Sequence, residues 1–301
     1  MLADVLPASV VRTYRQGDSV SKAFGIGTSN LFDIFLTGNT NPYTYMELIL
    51  PDGGRIRYNR ISSGTGYSDA VYVHSGTTTG FYGSKISWVG NSFGHWVLTF
   101  KNGTTYLFPD SSNATTPQAA ALTGITDRYG NTVTLRRDSN HNLILIGTQS
   151  GHWIQLTYDG SNRVTQAVDN IGRTVSYTYD SGGRLSTVTD AKGGVTTRTY
   201  DSNNNMLTIT DPRNITYLTT QYDSNNRVIK QTLADNTTYQ FAYTLASNTS
   251  QTHFVTLGTG YTGGGPGVDI SGFRACSGCQ EAYTPEISET DVTDQRGYVR
   301  K

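Results

Sequence analysis

The stretch Asp169-Asn-Ile-Gly-Arg-Thr-Val-Ser-Tyr-Thr-Tyr-Asp-Ser-Gly-Gly-Arg-Leu-Ser-Thr-Val-Thr189 contains every part of one small structural unit. Its Asp-x-x-Gly opening and its inner Asp-Ser-Gly-Gly are turn sequences, because Asp bonds to its own backbone and Gly adopts positive φ. The residues between them alternate strictly, which puts Val175, Tyr177 and Tyr179 on one face of a strand. The stretch therefore predicts a β-hairpin with a turn at each end.

The returning strand of this unit breaks the alternation. Leu185 and Val188 are three residues apart, so a regular strand would place them on opposite faces. Either a β-bulge brings both side chains to one face, or both faces are partly covered. The sequence leaves these two alternatives open.

The same unit recurs along the chain. Tyr-Asp pairs follow one another at intervals of 21, 21 and 22 residues: Tyr158-Asp159, Tyr179-Asp180, Tyr200-Asp201 and Tyr222-Asp223. The Asp-x-x-Gly openings end at Gly130, Gly172 and Gly193, and one opening between residues 127 and 169 is disguised. A lone hairpin is marginal in water, so each unit needs its neighbours. The period predicts a stacked ribbon of hairpins, and a structural role for Asp159, Asp180, Asp201, Asp223 and the three glycines.

The chain divides into three regions. Residues 1–125 form a β-rich N-terminal region with two predicted hairpins, 43–58 and 95–108, each with a Gly-containing turn, and residues 111–121 are predicted to be a loop. Residues 126–245 contain the repeats. Residues 246–301 comprise a Gly-rich loop and the start of further repeats, which favours a piece of a longer chain.

Composition excludes several classes of function. Charged residues are 15% and the net charge is zero, and no basic run offers the surface that nucleic-acid binding requires. No apolar stretch approaches the ~18 residues of a membrane-spanning helix, so no transmembrane segment is predicted. The N-terminus lacks a secretory signal pattern.

Cys276 and Cys279 are the two cysteines, in Cys-Ser-Gly-Cys. This spacing is shared by redox motifs, half zinc sites and short-loop disulfides. The Gly-rich setting favours a local disulfide or an inert thiol pair, because zinc would need two further ligands and a redox motif should open a helix.

No catalytic or cofactor site is predicted. The histidines show no metal-ligand spacing, no phosphate-binding glycine loop is present, and turn formation explains the Tyr-Asp carboxylates better than a metal ladder does. The protein is therefore predicted not to be an enzyme, with no metal and no cofactor.

One set of residues is a candidate for binding. Tyr158, Tyr179, Tyr200 and Tyr222 form an aromatic ladder at strand positions. Aromatic pairs across strands stabilise sheets, and this is the favoured interpretation. A row of exposed tyrosines could instead stack on sugar rings.

The motif Asp-x-x-Gly-Arg/Asn-x-Val-x-Tyr-x-Tyr-Asp-x-x-x-Arg-Leu at 21 residues resembles the YD repeat of the Rhs family, whose relatives include toxin-complex shells and teneurins. Residues 127–243 carry the resemblance. It implies an all-β, spiralling ribbon that forms part of a hollow shell, and in bacterial members such a shell encloses a C-terminal toxin. Five or six units are too few to close a cavity. The family's self-cleaving aspartates and a toxin domain have no counterpart here, so no such activity is carried over.

The resemblance also implies location and partners. We expect a structural shell segment of a secreted or bacterial cell-surface protein, whose partners are the rest of the parent Rhs chain and its toxin cargo. The first alternative is an adhesion module that binds carbohydrate or a target cell surface. A glycan-active enzyme is a second, less favoured alternative.

Overall fold

The computed structural model describes residues 6–39, 42–90, 94–110, 116–245, 287–295 and 299–300. Within these ranges the regular elements are β-strands and one short 3-10 helix, Pro117–Ala120. The all-β prediction is therefore confirmed.

The chain begins with four short strands that form two small sheets. In one sheet β1 pairs with β4, and in the other β2 pairs with β3, both antiparallel. We call residues 12–30 the strap. Its strands are β1 (Arg12–Tyr14), β2 (Ser21–Lys22), β3 (Gly25–Ile26) and β4 (Thr28–Asn30).

Eight further strands follow before the repeats. They include both predicted hairpins, β6–β7 and β10–β11, which are confirmed. The strands are β5 (Phe35–Gly38), β6 (Tyr45–Ile49), β7 (Arg55–Arg60), β8 (Val71–Val73), β9 (Lys85–Val89), β10 (His95–Thr99), β11 (Thr105–Phe108) and β12 (Gly124–Thr126).

The repeats supply two strands each. Their strands are β13 (Thr132–Arg137), β14 (Leu143–Thr148), β15 (Trp153–Tyr158), β16 (Val164–Asp169), β17 (Thr174–Tyr179), β18 (Leu185–Thr189), β19 (Val195–Tyr200), β20 (Met206–Thr210), β21 (Thr216–Tyr222), β22 (Val228–Leu233) and β23 (Thr238–Leu245). Two strands lie beyond them, β24 (Ile287–Thr293) and β25 (Val299–Arg300). From β5 to β25 each strand pairs antiparallel with the next one, so the N-terminal region and the repeats share one continuous sheet.

A β-bulge in each hairpin settles the question raised by Leu185 and Val188. Thr178 lies opposite Thr187, but Tyr179 lies opposite Leu185, so Ser186 is the extra residue. The bulge brings Leu185 and Val188 to the same face, where both are buried. The same register shift occurs at the pairs Arg137–Leu143, Tyr158–Val164, Tyr200–Met206 and Tyr222–Val228.

The segment predicted to be a loop, residues 111–121, contains the 3-10 helix in its described part, residues 116–121. Pro117 is at the start of this helix, where its fixed φ suits a helical turn. Immediately after the helix, Ala121 forms a β-bridge with Phe35, and the N–H of Leu122 donates to the Ile34 carbonyl at 2.8 Å. The segment therefore closes against the first strand of the sheet, which local sequence could not indicate.

The strap lies against one face of the repeats and completes the core there. The Ala23 carbonyl accepts from the N–H of Val164 at 2.8 Å, and the Ile26 N–H donates to the Gly183 carbonyl at 3.0 Å. Phe24 is fully buried and packs edge-on against Tyr177, with 5.0 Å between ring centroids. We call the face that the strap covers the inner face.

In the described ranges, no helix has the length and apolar character required to span a membrane.

Candidate functional site

The Tyr-Asp turns share one hydrogen-bond pattern. The Asp180 Oδ1 atom accepts from the N–H groups of Gly182 and Arg184, both at 3.0 Å, and Oδ2 accepts from the Arg184 Nε at 2.8 Å. The carboxylate thus caps the turn and holds the next side chain, which is the behaviour of Asp at a turn start. The same pattern occurs at Asp159, Asp201 and Asp223, with Arg163, Asn205 and Arg227 as the side-chain donors.

The opening turns use the same chemistry. The Asp169 Oδ1 atom accepts from the N–H groups of Ile171 and Arg173, and Gly172 has φ +84°. Gly130 and Gly193 have φ +86° and +85°. A residue with a Cβ is disfavoured in this left-handed region, so each glycine removes strain from its turn.

Two members of the repeat were hidden in the sequence. Thr148-Gln-Ser-Gly151 forms the missing opening, since the Gly151 N–H donates to the Thr148 carbonyl at 3.1 Å and Gly151 has φ +87°. Arg137-Asp138 stands at the Tyr-Asp position one unit before Tyr158. Counting back 21 residues from Asp169 and from Tyr158 would have found both.

The ladder tyrosines connect neighbouring units through their hydroxyl groups. Each side chain is partly buried, and each hydroxyl donates to the backbone carbonyl that opens the returning strand of the preceding unit. The pairs are Tyr158 to Leu143 (2.8 Å), Tyr179 to Val164 (2.6 Å), Tyr200 to Leu185 (2.9 Å), Tyr222 to Met206 (2.8 Å) and Tyr243 to Val228 (2.7 Å). The last pair extends the ladder to Tyr243, which no Asp follows.

Arg137 replaces tyrosine in this role. Its Nη2 donates to the Phe32 carbonyl at 3.0 Å and, at 3.5 Å, to the carbonyl of Leu122, which is 15 residues earlier, as for most of the tyrosines. The guanidinium therefore joins the first repeat to the segment that follows the strap.

Burial and local charge keep the ladder tyrosines protonated. Burial raises the pKa of Tyr200 to about 12, and it also raises the pKa of Tyr158, Tyr179 and Tyr222. A guanidinium lies over several of the rings, at 4.4 Å for Arg163 over Tyr179 and 5.3 Å for Arg184 over Tyr200. Its positive charge lowers the tyrosine pKa, and burial outweighs this effect. The hydroxyls thus act as hydrogen-bond donors within the sheet.

The turn carboxylates are held in the ionised form. Burial alone would raise the pKa of Asp159, but the N–H groups and guanidinium of Arg163 and the N–H of Ser161 outweigh it, and the pKa is lowered. The pKa of Asp201 and of Asp223 is lowered against burial in the same way. Since Oδ1 and Oδ2 already accept these donors, the carboxylates serve the turns. The described part of the chain contains no cluster of three or more potential metal ligands.

The predicted cysteine pair, Cys276 and Cys279, lies outside the described residues. A disulfide between them stays a prediction, as does glycan stacking on Tyr158, Tyr179, Tyr200 and Tyr222.

Comparison with known proteins gives one sequence match. The RHS Repeat family matches residues 158–195 and 183–216, the part of the chain where the turn pattern is most regular. No curated protein sequence matches this chain.

Solved structures give weaker likenesses. The TcdB2-TccC3-Cdc42 crystal structure is 13% identical with a TM-score of 0.35, covering 65% of this chain and 12% of that chain. The Photorhabdus luminescens Tc holotoxin pore, with a substitution in TccC3, is 15% identical with a TM-score of 0.34, covering 73% and 14%. This chain thus spans about an eighth of the length of these structures. Because both TM-scores are below 0.5, the family assignment depends on the repeat match and the turn geometry.

Proposed function

This chain is an RHS-repeat protein, and we propose that its repeats form part of the wall of a hollow shell in a longer secreted or cell-surface protein. In this proposal the parent chain encloses a C-terminal toxin, and the wall shields that cargo until delivery. The observation that supports it most directly is the unbroken antiparallel pairing from β5 to β25, which makes one layer with two distinct faces.

The two faces have the chemistry expected of a wall. Outward positions of the repeat strands are rich in threonine, and two outward pairs bond across strands, Thr178 to Thr187 and Thr199 to Thr208, both at 2.6 Å. Inward positions hold the apolar rows and the ladder tyrosines. A sheet with one polar and one apolar face is stable only when something covers the apolar face.

Within the described residues, the inner face is covered over only part of its length. In the unit that contains Leu185, the inward side chains of Tyr177, Leu185 and Val188 are buried. In later units, Leu218 and Phe241 are only partly buried. The open part of the inner face is the surface that further wall or cargo would cover.

Light scattering on the chain of residues 1–301 tests this function. A partly uncovered inner face should cause self-association that depends on concentration. Leu218→Lys on the inner face should reduce the association, and Thr199→Lys on the outer face, the matched control, should leave it unchanged. A wild-type chain that stays monomeric at all concentrations, or equal effects of the two variants, would count against the wall.

Binding of carbohydrate or a target cell surface is the second candidate. It is favoured by the row of partly exposed rings that ends at Tyr222 and Tyr243, beyond the strap. Glycan-array binding that persists in Tyr222→Phe but is lost in Tyr222→Ala would support stacking on the ring. Absence of binding across a broad array would remove this candidate.

A further inference from the structure

One inward row of the repeats contains a charged residue among core residues. The row is the position two residues before each Tyr-Asp tyrosine or its equivalent: Leu135, Leu156, Tyr177, Arg198, Thr220 and Phe241. Thr196 pairs with the buried Val188, so Arg198, two residues further along the same strand, also points to the inner face. Arg198 therefore occupies the place that Tyr177 has one unit earlier.

A second arginine approaches the same place from the strap. The guanidinium carbon of Arg12 lies 5.3 Å from the ring centroid of Tyr177 and 5.9 Å from that of Phe24. Nη1 of Arg12 and Nη1 of Arg198 are both buried, and neither has a hydrogen-bond partner. Within the described ranges, neither guanidinium forms an ion pair with a carboxylate.

Arg12 and Arg198 differ from the arginines that close the Tyr-Asp turns. Arg163, Arg184 and Arg227 each lie within 2.8 Å of a turn carboxylate. At Arg198, burial and then the nearby charge of Arg12 lower the pKa. Two like charges removed from water repel each other, and their unpaired donors cost free energy. A negatively charged group between them would remove both costs.

The surroundings would hold such a group. Tyr177 lies beside the Arg12 guanidinium, and the neutral side chains of Tyr177, Tyr200 and Tyr217 are neighbours of Arg198. Tyr217 lies where the register of β20 and β21 shifts, between Ile209 opposite Leu218 and Thr210 opposite Thr216. The planar fork of arginine matches the oxygens of a carboxylate or a phosphate.

We propose that Arg12 and Arg198 form a binding site for an oxyanion, a carboxylate or phosphate group, between the strap and the inner face. The site ties the strap to the second and third Tyr-Asp units, those of Tyr179 and Tyr200, through a shared charge. It depends on the inner face as described and not on whether the parent protein carries a toxin.

Thermal unfolding of the chain of residues 1–301 tests the site, in phosphate, acetate and chloride at equal ionic strength. We expect phosphate, acetate or both to raise the melting temperature above its value in chloride. Arg198→Gln and Arg12→Gln should lose this increment, and titration calorimetry should show affinity at least roughly tenfold weaker, because a charged hydrogen-bond pair is lost. Arg136→Gln removes an arginine from the outer face, and this variant should keep both the increment in melting temperature and the affinity.

The remaining outcomes divide clearly. A shift with acetate identifies a carboxylate as a sufficient occupant, and a shift with phosphate alone identifies a phosphate group. In chloride, Arg198→Gln should be at least as stable as wild type, because the repulsion from Arg12 is relieved. Equal increments in wild type and Arg198→Gln, no increment with either anion, or a marked loss of stability of Arg198→Gln in chloride would overturn the proposal.

Discussion

The repeats from residue 127 to 189 and those from 190 to 245 have the same local structure and different cores. Both halves have capped Asp turns, the same bulge and the same tyrosine-to-carbonyl bonds. Yet Val164 is fully buried, while Val228, at the equivalent position three units later, is partly exposed. The strap lies on the first half. It contacts the second half mainly near the start of that half.

The two halves show that formation of the ribbon and burial of its apolar side chains have different causes. Turn chemistry and hydrogen bonds between neighbouring units are local, so they recur in units that the strap covers and in units that it does not cover. Burial of the apolar rows depends on a segment more than 100 residues away in sequence. The strap engages the two halves at equivalent backbone groups, since Ala23 and Ile26 bond to Val164 and Gly183, and Tyr14 bonds to Asn204 and Met206.

Breaking the strap should have the largest effect. A Cβ on Gly25 would lie 2.5 Å from the Gly183 carbonyl oxygen, and Gly25 has φ +85°. Gly25→Ala should therefore lower the free energy of unfolding by roughly 3 kcal/mol, from backbone strain and lost docking. Urea unfolding measures this loss, and limited proteolysis should show cleavage within residues 12–30.

Gly172→Ala is the matched control for this change. Gly172 has φ +84°, but a Cβ there would meet no atom within 4 Å. Only the strain of about 1 kcal/mol is expected, with the strap still resistant to protease. If both variants lost the same stability, the inference that the strap packs closely against the repeats at Gly25 would be wrong.

Shortening the equivalent valine in each half should show how much burial the strap adds. Val164→Ala should cost about 2 kcal/mol, because two buried methyl groups are lost and a cavity forms. Val228→Ala removes the same atoms from a partly exposed position and should cost about half as much or less. Urea unfolding midpoints of the two variants give the difference, and equal midpoints would show that the strap adds no burial.

Removing a ladder hydroxyl should have a smaller effect that differs less between the halves. Tyr179→Phe leaves the Val164 carbonyl without the hydroxyl donor and should cost about 1 kcal/mol. Tyr243→Phe frees the Val228 carbonyl where water has better access, and should cost roughly half of that. Chemical denaturation of both variants checks the order, and a larger loss for Tyr243→Phe would contradict it.

Acid should weaken both halves together. The turn aspartates Asp159, Asp169, Asp190, Asp201, Asp211 and Asp223 have a pKa below the usual 3.8 in the folded protein. The unfolded chain therefore binds protons first, and the stability these groups contribute is complete above pH ~4 and is lost as pH falls through their folded pKa. Asp33 acts in the opposite direction, because burial raises its pKa.

Circular dichroism between pH 5 and pH 2 measures this effect. Asp201→Asn and Asp159→Asn should each flatten the pH dependence by a similar small amount, one in each half. A pH dependence confined to the half covered by the strap would show that burial, and not the capped turns, controls acid sensitivity.

Much of the ribbon was predictable because its rules are local. Asp-x-x-Gly specifies a turn, strict alternation specifies a strand, and a 21-residue period specifies that the same hairpin recurs. The bulge remained one of two alternatives, because the spacing of Leu185 and Val188 does not reveal the partner strand. The interval of 22 residues between Tyr200 and Tyr222 is explained only by the register shift between β20 and β21, where Tyr217 is the extra residue.

The sequence by itself determined the hairpins, their turns and the order in which they pair, because each depends on residues within about one repeat of each other. Only the tertiary structure showed that residues 12–30 cover the inner face, that the ladder tyrosines are tied to the preceding unit, and that Arg12 comes near Arg198. These contacts join parts of the chain that are far apart in sequence, and neither part has a sequence pattern that indicates the other. Packing of the whole molecule therefore decided them.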